Sequence, residues 1–391
     1  MDGRIKRFNY LWTFILLLFL VSCSQLMQFT QSEENPEDLL QESSIPSARE
    51  PTPLGVTELP FYQAVAPGKD AMETEILDFR DGKLLFSVEG KYSRTMGEGV
   101  AAVTQRVGVY DIPTEQVLWE ARLPEENFYF YSSILTENGL IASGILLDER
   151  EETYRIYEFR EGEESCLLLE GTVGGRFFLW PEVVPREQGD PLVIIIDEED
   201  PAAYLIREEG PEPCPIPVQG RFYSNITNVR WQGNRSLTFW EVDGKGQFLC
   251  WDPEGEYFLV PLPEERKILS YSLMEDGILA CLQSQDGKHL YSELHYLPLN
   301  GSEPFWTYSS RHYEITEVGD GQAVSNASGN PDGLHEILVS EAEREIKCRP
   351  LELPGVENHQ ENIRIALGPE GSILNLVQAQ RLFLCTQKVL S

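Results

Sequence analysis

Asp276-Gly277-Ile278-Leu279-Ala280-Cys281-Leu282 is a tight turn followed by an unbroken apolar run. An acidic or amide residue next to glycine, followed by an apolar stretch, occurs six more times: Asp81-Gly82, Asn138-Gly139, Gln188-Gly189, Gln232-Gly233, Asp320-Gly321 and Glu370-Gly371. Successive glycines are 57, 50, 44, 44, 44 and 50 residues apart. Such a pair is the turn chemistry of a tight hairpin, where glycine accepts a positive φ. The stretches between turns read as strands. Lys83-Leu84-Leu85-Phe86-Ser87-Val88, Leu192-Val193-Ile194-Ile195-Ile196 and Arg381-Leu382-Phe383-Leu384-Cys385 are short and rich in Val, Ile, Leu and Phe. None sustains a helical apolar period.

A period of roughly 40 to 50 residues in an all-β chain predicts a β-propeller with four strands per blade. Seven turns predict seven four-stranded antiparallel blades, over residues 58–391. Second hairpins follow at Tyr110-Asp111-Ile112-Pro113-Thr114-Glu115-Gln116-Val117-Leu118-Trp119, Trp251-Asp252-Pro253-Glu254-Gly255-Glu256 and Pro298-Leu299-Asn300-Gly301-Ser302. The first resembles the outer hairpin of WD40- and quinoprotein-like propellers. Asp286-Gly287-Lys288-His289-Leu290-Tyr291 is similar to a turn of the periplasmic Tol-associated propellers. Both resemblances are confined to the residues quoted and imply a fold, not an activity. The last repeat is short, with only Thr386 to Ser391 after Cys385. The segment around Leu59 to Val65, with Phe61 and Tyr62, is therefore expected to supply the outer strand of the final blade and close the ring.

The first 22 residues read as a leader. Arg4, Lys6 and Arg7 precede the apolar run Thr13 to Val21, about half the roughly 20 residues a spanning helix needs. Leu20-Val21-Ser22-Cys23 resembles the lipobox of bacterial lipoproteins. The resemblance implies cleavage before Cys23 and palmitate-type acylation of that cysteine. It also implies a chain anchored to the cell membrane by lipid, facing outside the cytoplasm, at the cell surface or in the periplasm. Each buried methylene contributes about 0.8 kcal/mol, and two acyl chains hold where one does not. The alternatives are an ordinary secretory signal with an incidental cysteine, or an uncleaved anchor helix. Residues 23–57 are polar, acidic and proline-bearing, with too few large apolar side chains for a core, and read as a flexible tether.

The chain carries 64 acidic and 31 basic side chains, a net charge of −33. Removing Asp2, Arg4, Lys6 and Arg7 takes away +2 and leaves −35. Such a surface repels nucleic acid and anionic lipid, which excludes nucleic-acid binding. Besides Cys23 there are Cys166, Cys214, Cys250, Cys281, Cys348 and Cys385, none spaced as a metal or redox pair. Most sit inside apolar runs and are expected to be small buried hydrophobes, with long-range disulfides the lesser alternative.

No Gly-x-Ser-x-Gly, Walker loop or dinucleotide fingerprint is present, so no catalytic residue and no cofactor is assigned. His335-Glu336 begins like a zincin, but Val339 stands where the second histidine belongs. Asp148 to Glu152 and Asp197 to Asp200 are acidic loops without the order of a calcium loop, so no metal is assigned. One pattern is sharper. Arg176, Arg221, Arg266 and Arg311 are each 45 residues apart, where one blade should hand over to the next. Phe178, Tyr223 and Tyr313 follow three of them. On one face these arginines and aromatics would form a cationic, aromatic-edged site for an anionic or sugar ligand. Alternatively, each arginine pairs with acids of a neighbouring blade. The loop Glu89 to Val103 is a further candidate contact surface. Two functions fit. One is a non-catalytic binding or scaffold module for a protein or glycan of the cell envelope. The other is an extracytoplasmic hydrolase or lyase acting on sugar or lactone at the propeller axis.

Overall fold

A computed structural model describes residues 55–65, 73–89, 106–122, 128–147, 152–172, 180–196, 201–222, 229–263, 266–284, 292–309, 313–319, 322–327, 334–350, 363–368, 371–376 and 381–386. Strand β1 (Gly55–Leu59) and the one-turn helix α1 (Phe61–Val65) lead into seven sheets. Blade 1 is β2 (Glu73–Arg80), β3 (Lys83–Glu89), β4 (Arg106–Asp111) and β5 (Gln116–Arg122). Blade 2 is β6 (Phe128–Thr136), β7 (Gly139–Leu147), β8 (Glu152–Arg160) and β9 (Cys166–Thr172). Blade 3 is β10 (Trp180–Val184), β11 (Leu192–Ile196), β12 (Ala202–Arg207) and β13 (Gly210–Cys214). In blade 4 the first position is shared by β14 (Arg221–Phe222) and β15 (Arg230–Gln232), both pairing β16 (Arg235–Val242), followed by β17 (Lys245–Trp251) and β18 (Tyr257–Pro261). Blade 5 is β19 (Arg266–Leu273), β20 (Gly277–Ser284), β21 (Ser292–Pro298) and β22 (Phe305–Ser309). Blade 6 is β23 (Tyr313–Gly319), β24 (Gln322–Ala327), β25 (Leu334–Ser340) and β26 (Glu345–Pro350). Blade 7 is β27 (Ile363–Gly368), β28 (Gly371–Leu376), β29 (Arg381–Thr386) and, outermost, β1. Every pairing is antiparallel, and the chain is a seven-bladed propeller. First strands meet between blades 1 and 2, 2 and 3, 4 and 5, 5 and 6, 6 and 7, and 7 and 1, while blades 3 and 4 pack through Val184, Leu192 and Ile194 against Trp240 and Leu249, so the ring is closed.

The unbroken apolar runs have a geometric cause. A blade is sandwiched between two others, so both of its faces are buried and the usual strand alternation disappears. In β20, Ile278, Ala280 and Leu282 pack with Leu237, Phe239 and Phe248 of blade 4. The intervening Leu279 and Cys281 pack with Ile315 and Ile337 of blade 6. The core is thus a series of inter-blade layers rather than one central mass. The turn glycines serve two purposes. Asp81 and Gly82 both have positive φ, 52° and 68°, as a type I′ hairpin requires. At Gly277 the need is space, because a Cβ there would lie 2.3 Å from the Tyr296 ring.

Innermost strands are latched to the next blade by side chains. Asp78 Oδ2 accepts from the Leu135 N–H at 2.9 Å. Ser132 Oγ accepts from Val183 N–H at 3.2 Å, and Ser270 Oγ from Ile315 N–H at 3.1 Å. Each of the three follows a β-bulge, at Ile76/Asp78, Phe130/Ser132 and Ile268/Ser270. The extra residue re-aims the polar side chain that follows it toward the neighbour.

The N-terminal segment closes the final blade as expected, but four residues earlier than Leu59 to Val65. Gly55 to Leu59 pair with Thr386 to Leu382. Pro60 then ends the strand, having no N–H for the ladder, and its carbonyl accepts from Ala64 N–H at 3.3 Å to start α1. β1 therefore begins inside the stretch read as tether. Phe61 is fully buried against Phe86 and Tyr110 of blade 1, so the segment joins blade 7 to blade 1. A chain beginning at Glu73 loses the β1 ladder and the buried Leu59, Phe61 and Val65. It should unfold with a stability reduced by on the order of 5 kcal/mol, measured by urea titration followed by circular dichroism.

Candidate functional site

Among the described residues polar side chains cluster at several places, two of them near the axis or beneath exposed aromatics. The first is at the inner edge of blades 2 to 4. Glu182 on β10 is hydrogen-bonded by Ser132 of β6 and faces Arg230 of β15. Burial pushes its carboxyl up to about 7, against the opposing pull of Ser132 and Arg230. Arg230 Nη2 also reaches the Ile315 carbonyl of blade 6 at 3.4 Å. Residues from four blades thus meet here, and most of their hydrogen bonds hold blades together.

The second cluster lies in blade 5. Arg266 opens β19 and holds Glu293 of β21 with Nε at 2.7 Å and Nη2 at 3.3 Å. His295 Nε2 lies 2.8 Å from the same carboxylate. Glu293 and His295 are two residues apart on a strand, so they share the face turned toward blade 4. Burial opposes ionisation of Glu293, but the hydrogen bonds from Arg266 and His295 outweigh it and its pKa ends below the ordinary carboxylate value. Burial lowers the pKa of His295 despite the neighbouring carboxylate, so the neutral ring donates from Nε2. Its Nδ1 is buried with no hydrogen-bond partner among the described residues. Trp306 of β22 lies directly opposite His295 and stacks on it, 5.7 Å between centroids and 16° between planes. Tyr308 sits opposite Glu293 and meets the Trp306 ring edge-on at 4.7 Å. Both aromatics are exposed, by 46% and 60%.

Of the arginine series, Arg221 lies on the short first strand β14, exposed and opposite Glu241 in the register. Arg266 begins the first strand of the next blade, at the same end of the ring, with its guanidinium engaged by Glu293. Tyr313 opens β23, paired with Ala327. Arg176, Phe178, Tyr223 and Arg311 lie outside the described residues, as do Cys23, the acidic loops at 148–151 and 197–200, and most of the loop from Glu89 to Val103. Glu336 of the zincin-like pair is bonded to Arg349, and His335 is buried beside it on β25. Among the described residues no group of three or more His, Cys, Asp or Glu is placed to hold a metal ion, and no helix is long and apolar enough to cross a membrane. Cys166, Cys214, Cys250, Cys281 and Cys348 form no disulfide. Burial pushes Cys250 up to about 12.

The Glu182–Ser132–Arg230 cluster and the blade 5 aromatics were not visible as motifs. The alternation Glu293-Leu294-His295 and Trp306-Thr307-Tyr308 was the available signal, since it places two polar and two aromatic side chains on single strand faces.

No protein-family model matches the chain, nor does any curated protein sequence. Several solved structures resemble it at low identity. The propeller domain of the trilobed protease from Pyrococcus furiosus matches over 81% of this chain and 95% of that one, at 11% identity and a TM-score of 0.47. A prolyl endopeptidase matches over 78% of this chain and 54% of its own, at 11% identity and a TM-score of 0.46. Prolyl oligopeptidase B from Galerina marginata matches over 81% and 48%, at 10% identity and a TM-score of 0.48. This chain therefore spans about half the length of those peptidases.

Two measurements probe the clusters. Glu182 has a pKa raised from 4.5 to about 7 in the folded chain, so its contribution is fully present below pH 4.5 and is lost as pH rises through 7. Relative to wild type, Glu182→Gln should gain on the order of 2 to 3 kcal/mol in unfolding free energy between pH 4.5 and pH 8. Urea melts at the two pH values read this directly. Arg266→Ala strands a buried carboxylate and should cost about 3 kcal/mol at pH 7. That penalty should shrink as the pH is lowered and the stranded Glu293 takes up a proton, as thermal melts from neutral to acidic pH would show.

Proposed function

We propose that this chain is an extracytoplasmic lipoprotein, anchored to the cell membrane by lipid on Cys23. Its propeller is a non-catalytic binding or scaffold module for a protein or glycan of the cell envelope. The observation that carries the reading is where the polar groups go. At the axis, Asp78, Ser132, Ser270 and Arg230 are engaged with backbone groups of other blades. Among the described residues, five of the seven exposed large apolar side chains lie on outermost strands, Leu118 on β5, Leu167 on β9, Tyr257 on β18, and Trp306 and Tyr308 on β22, against Trp231 and Leu269 on first strands. Rigid aromatics at a surface supply contact area at low entropic cost. The end of the ring that bears Arg221 and Arg266 supplies the contact face in this reading, with Arg176, Arg311, Phe178, Tyr223 and Tyr313 as further contributors. The acidic exterior keeps a tethered module soluble beside the bilayer.

A second reading is an axial hydrolase or lyase on sugar or lactone. It is favoured by Glu182 alone, since a carboxyl titrating at about 7 is matched to general acid–base work. Two results separate the readings. Cys23→Ser should move the protein from the membrane to the soluble fraction on cell fractionation. Cross-linking the intact lipoprotein in its own membrane should recover a stoichiometric protein partner or a glycan. Turnover of sugar or lactone substrates that is lost in Glu182→Gln would replace the binding reading with the catalytic one.

A further inference from the structure

Five blades seal their outer two strands with an arginine–carboxylate pair: Arg106–Glu120 at 3.0 Å in blade 1, Arg155–Glu170 at 2.6 Å in blade 2, Arg207–Glu212 in blade 3, Arg349–Glu336 in blade 6 and Arg381–Glu58 at 2.8 Å in blade 7. Blade 5 departs from this arrangement. Its third strand carries the carboxylate Glu293, but the arginine comes from the innermost strand, as Arg266. The outermost strand is thereby relieved of ion pairing. Opposite Glu293 and His295 it presents Tyr308 and Trp306.

The two rings form a corner. They stand at 88° to each other and are both exposed, and the indole is backed by the buried His295. His295 is in turn held by Glu293 and Glu293 by the part-buried Arg266, so the platform is oriented from beneath by a chain of hydrogen bonds whose Glu293 and His295 are buried. From this geometry we propose that Trp306 and Tyr308 form a saccharide-stacking site at the outer edge of blade 5, on the face turned toward blade 4. The ligand is an uncharged hexose or N-acetylhexosamine unit of a larger glycan. The inference rests on the binding-module reading above and names its ligand and site.

Size and charge choose the ligand. Two half-exposed rings offer at most a few hundred Å², below the roughly 800 Å² per partner of a stable protein interface. They match one or two pyranose rings, whose axial C–H bonds form an apolar face suited to an indole. The net charge of −33 repels acidic polysaccharides, leaving neutral ones.

The test uses the full-length lipoprotein in detergent, titrated by calorimetry with N-acetylchitohexaose, maltoheptaose and laminarihexaose, alongside a printed array of neutral and acidic glycans. Wild type should bind at least one neutral glycan. Trp306→Ala should weaken that binding about ten-fold or more, and Tyr308→Ala by several-fold. Trp306→Phe, which keeps an aromatic face, should retain most of it. Melting temperatures of the variants should stay within a few degrees of wild type, since both rings are exposed. No binding to any neutral glycan, preference for acidic ones, or binding that survives Trp306→Ala overturns the site. A protein partner cross-linked elsewhere on the ring would then leave the binding-module reading standing. Cleavage of the oligosaccharides during titration would instead remove that reading.

Discussion

Burial of both faces of every blade is the constraint on which the rest depends. An isolated four-stranded sheet of this composition would expose apolar side chains on two sides. Only stacking against two neighbours removes them from water, and stacking that continues must return on itself. Closure follows from the same need. In blade 7 the position outside β29 is taken by β1, which pairs with it over Gly55–Leu59 and covers an edge that would otherwise be unpaired. Phe61, arriving with β1, then packs into the layer between blades 7 and 1.

Polar groups near the axis serve that stacking. The bulges of β2, β6 and β19 place Asp78, Ser132 and Ser270 where each satisfies a backbone N–H of the following blade. A buried unsatisfied amide costs about 1–3 kcal/mol, so each latch both removes a penalty and fixes the rotation of one blade on the next. The other end of the ring uses charge. Arg186, at 2% side-chain exposure, leaves blade 3 and holds Asp252 at 2.9 Å and Glu254 at 3.1 Å in the hairpin of blade 4. The hydrogen bond from Arg186 lowers the Glu254 pKa first of all, with Arg207 adding to it. The hairpin Trp251 to Glu256 is therefore both a turn and the grip of one blade on another.

Blade 5 shows how a scaffold feature becomes a surface feature. The arginine–glutamate pairs of blades 1, 2, 3 and 7 are partly exposed and contribute little to stability individually, whereas that of blade 6 is largely buried. Their worth is in keeping outer edges polar. Where Arg266 answers Glu293 from inside, the outer strand is free to carry aromatics, and the same hydrogen-bond chain that satisfies the buried carboxylate orients His295 beneath Trp306.

The sequence alone determined what depends on local spacing. Turn glycines 44 to 57 residues apart and runs that a two-sided sheet must bury were enough for the fold and the blade number. Strand register at the closure was not legible, because Pro60 shifts the strand toward Gly55 while leaving the apolar residues Phe61 and Val65 to a helix. The 45-residue arginine series was legible as a period, but what Arg266 does was not. Its partner, Glu293, lies 27 residues away and is brought near only by the pairing of β19, β20 and β21. The same holds for Glu182, whose environment is made by Ser132 and Arg230 from two other blades. Chemistry that arises between blades is set by how sheets stack, and stacking is a property of the whole ring that no single stretch of chain encodes.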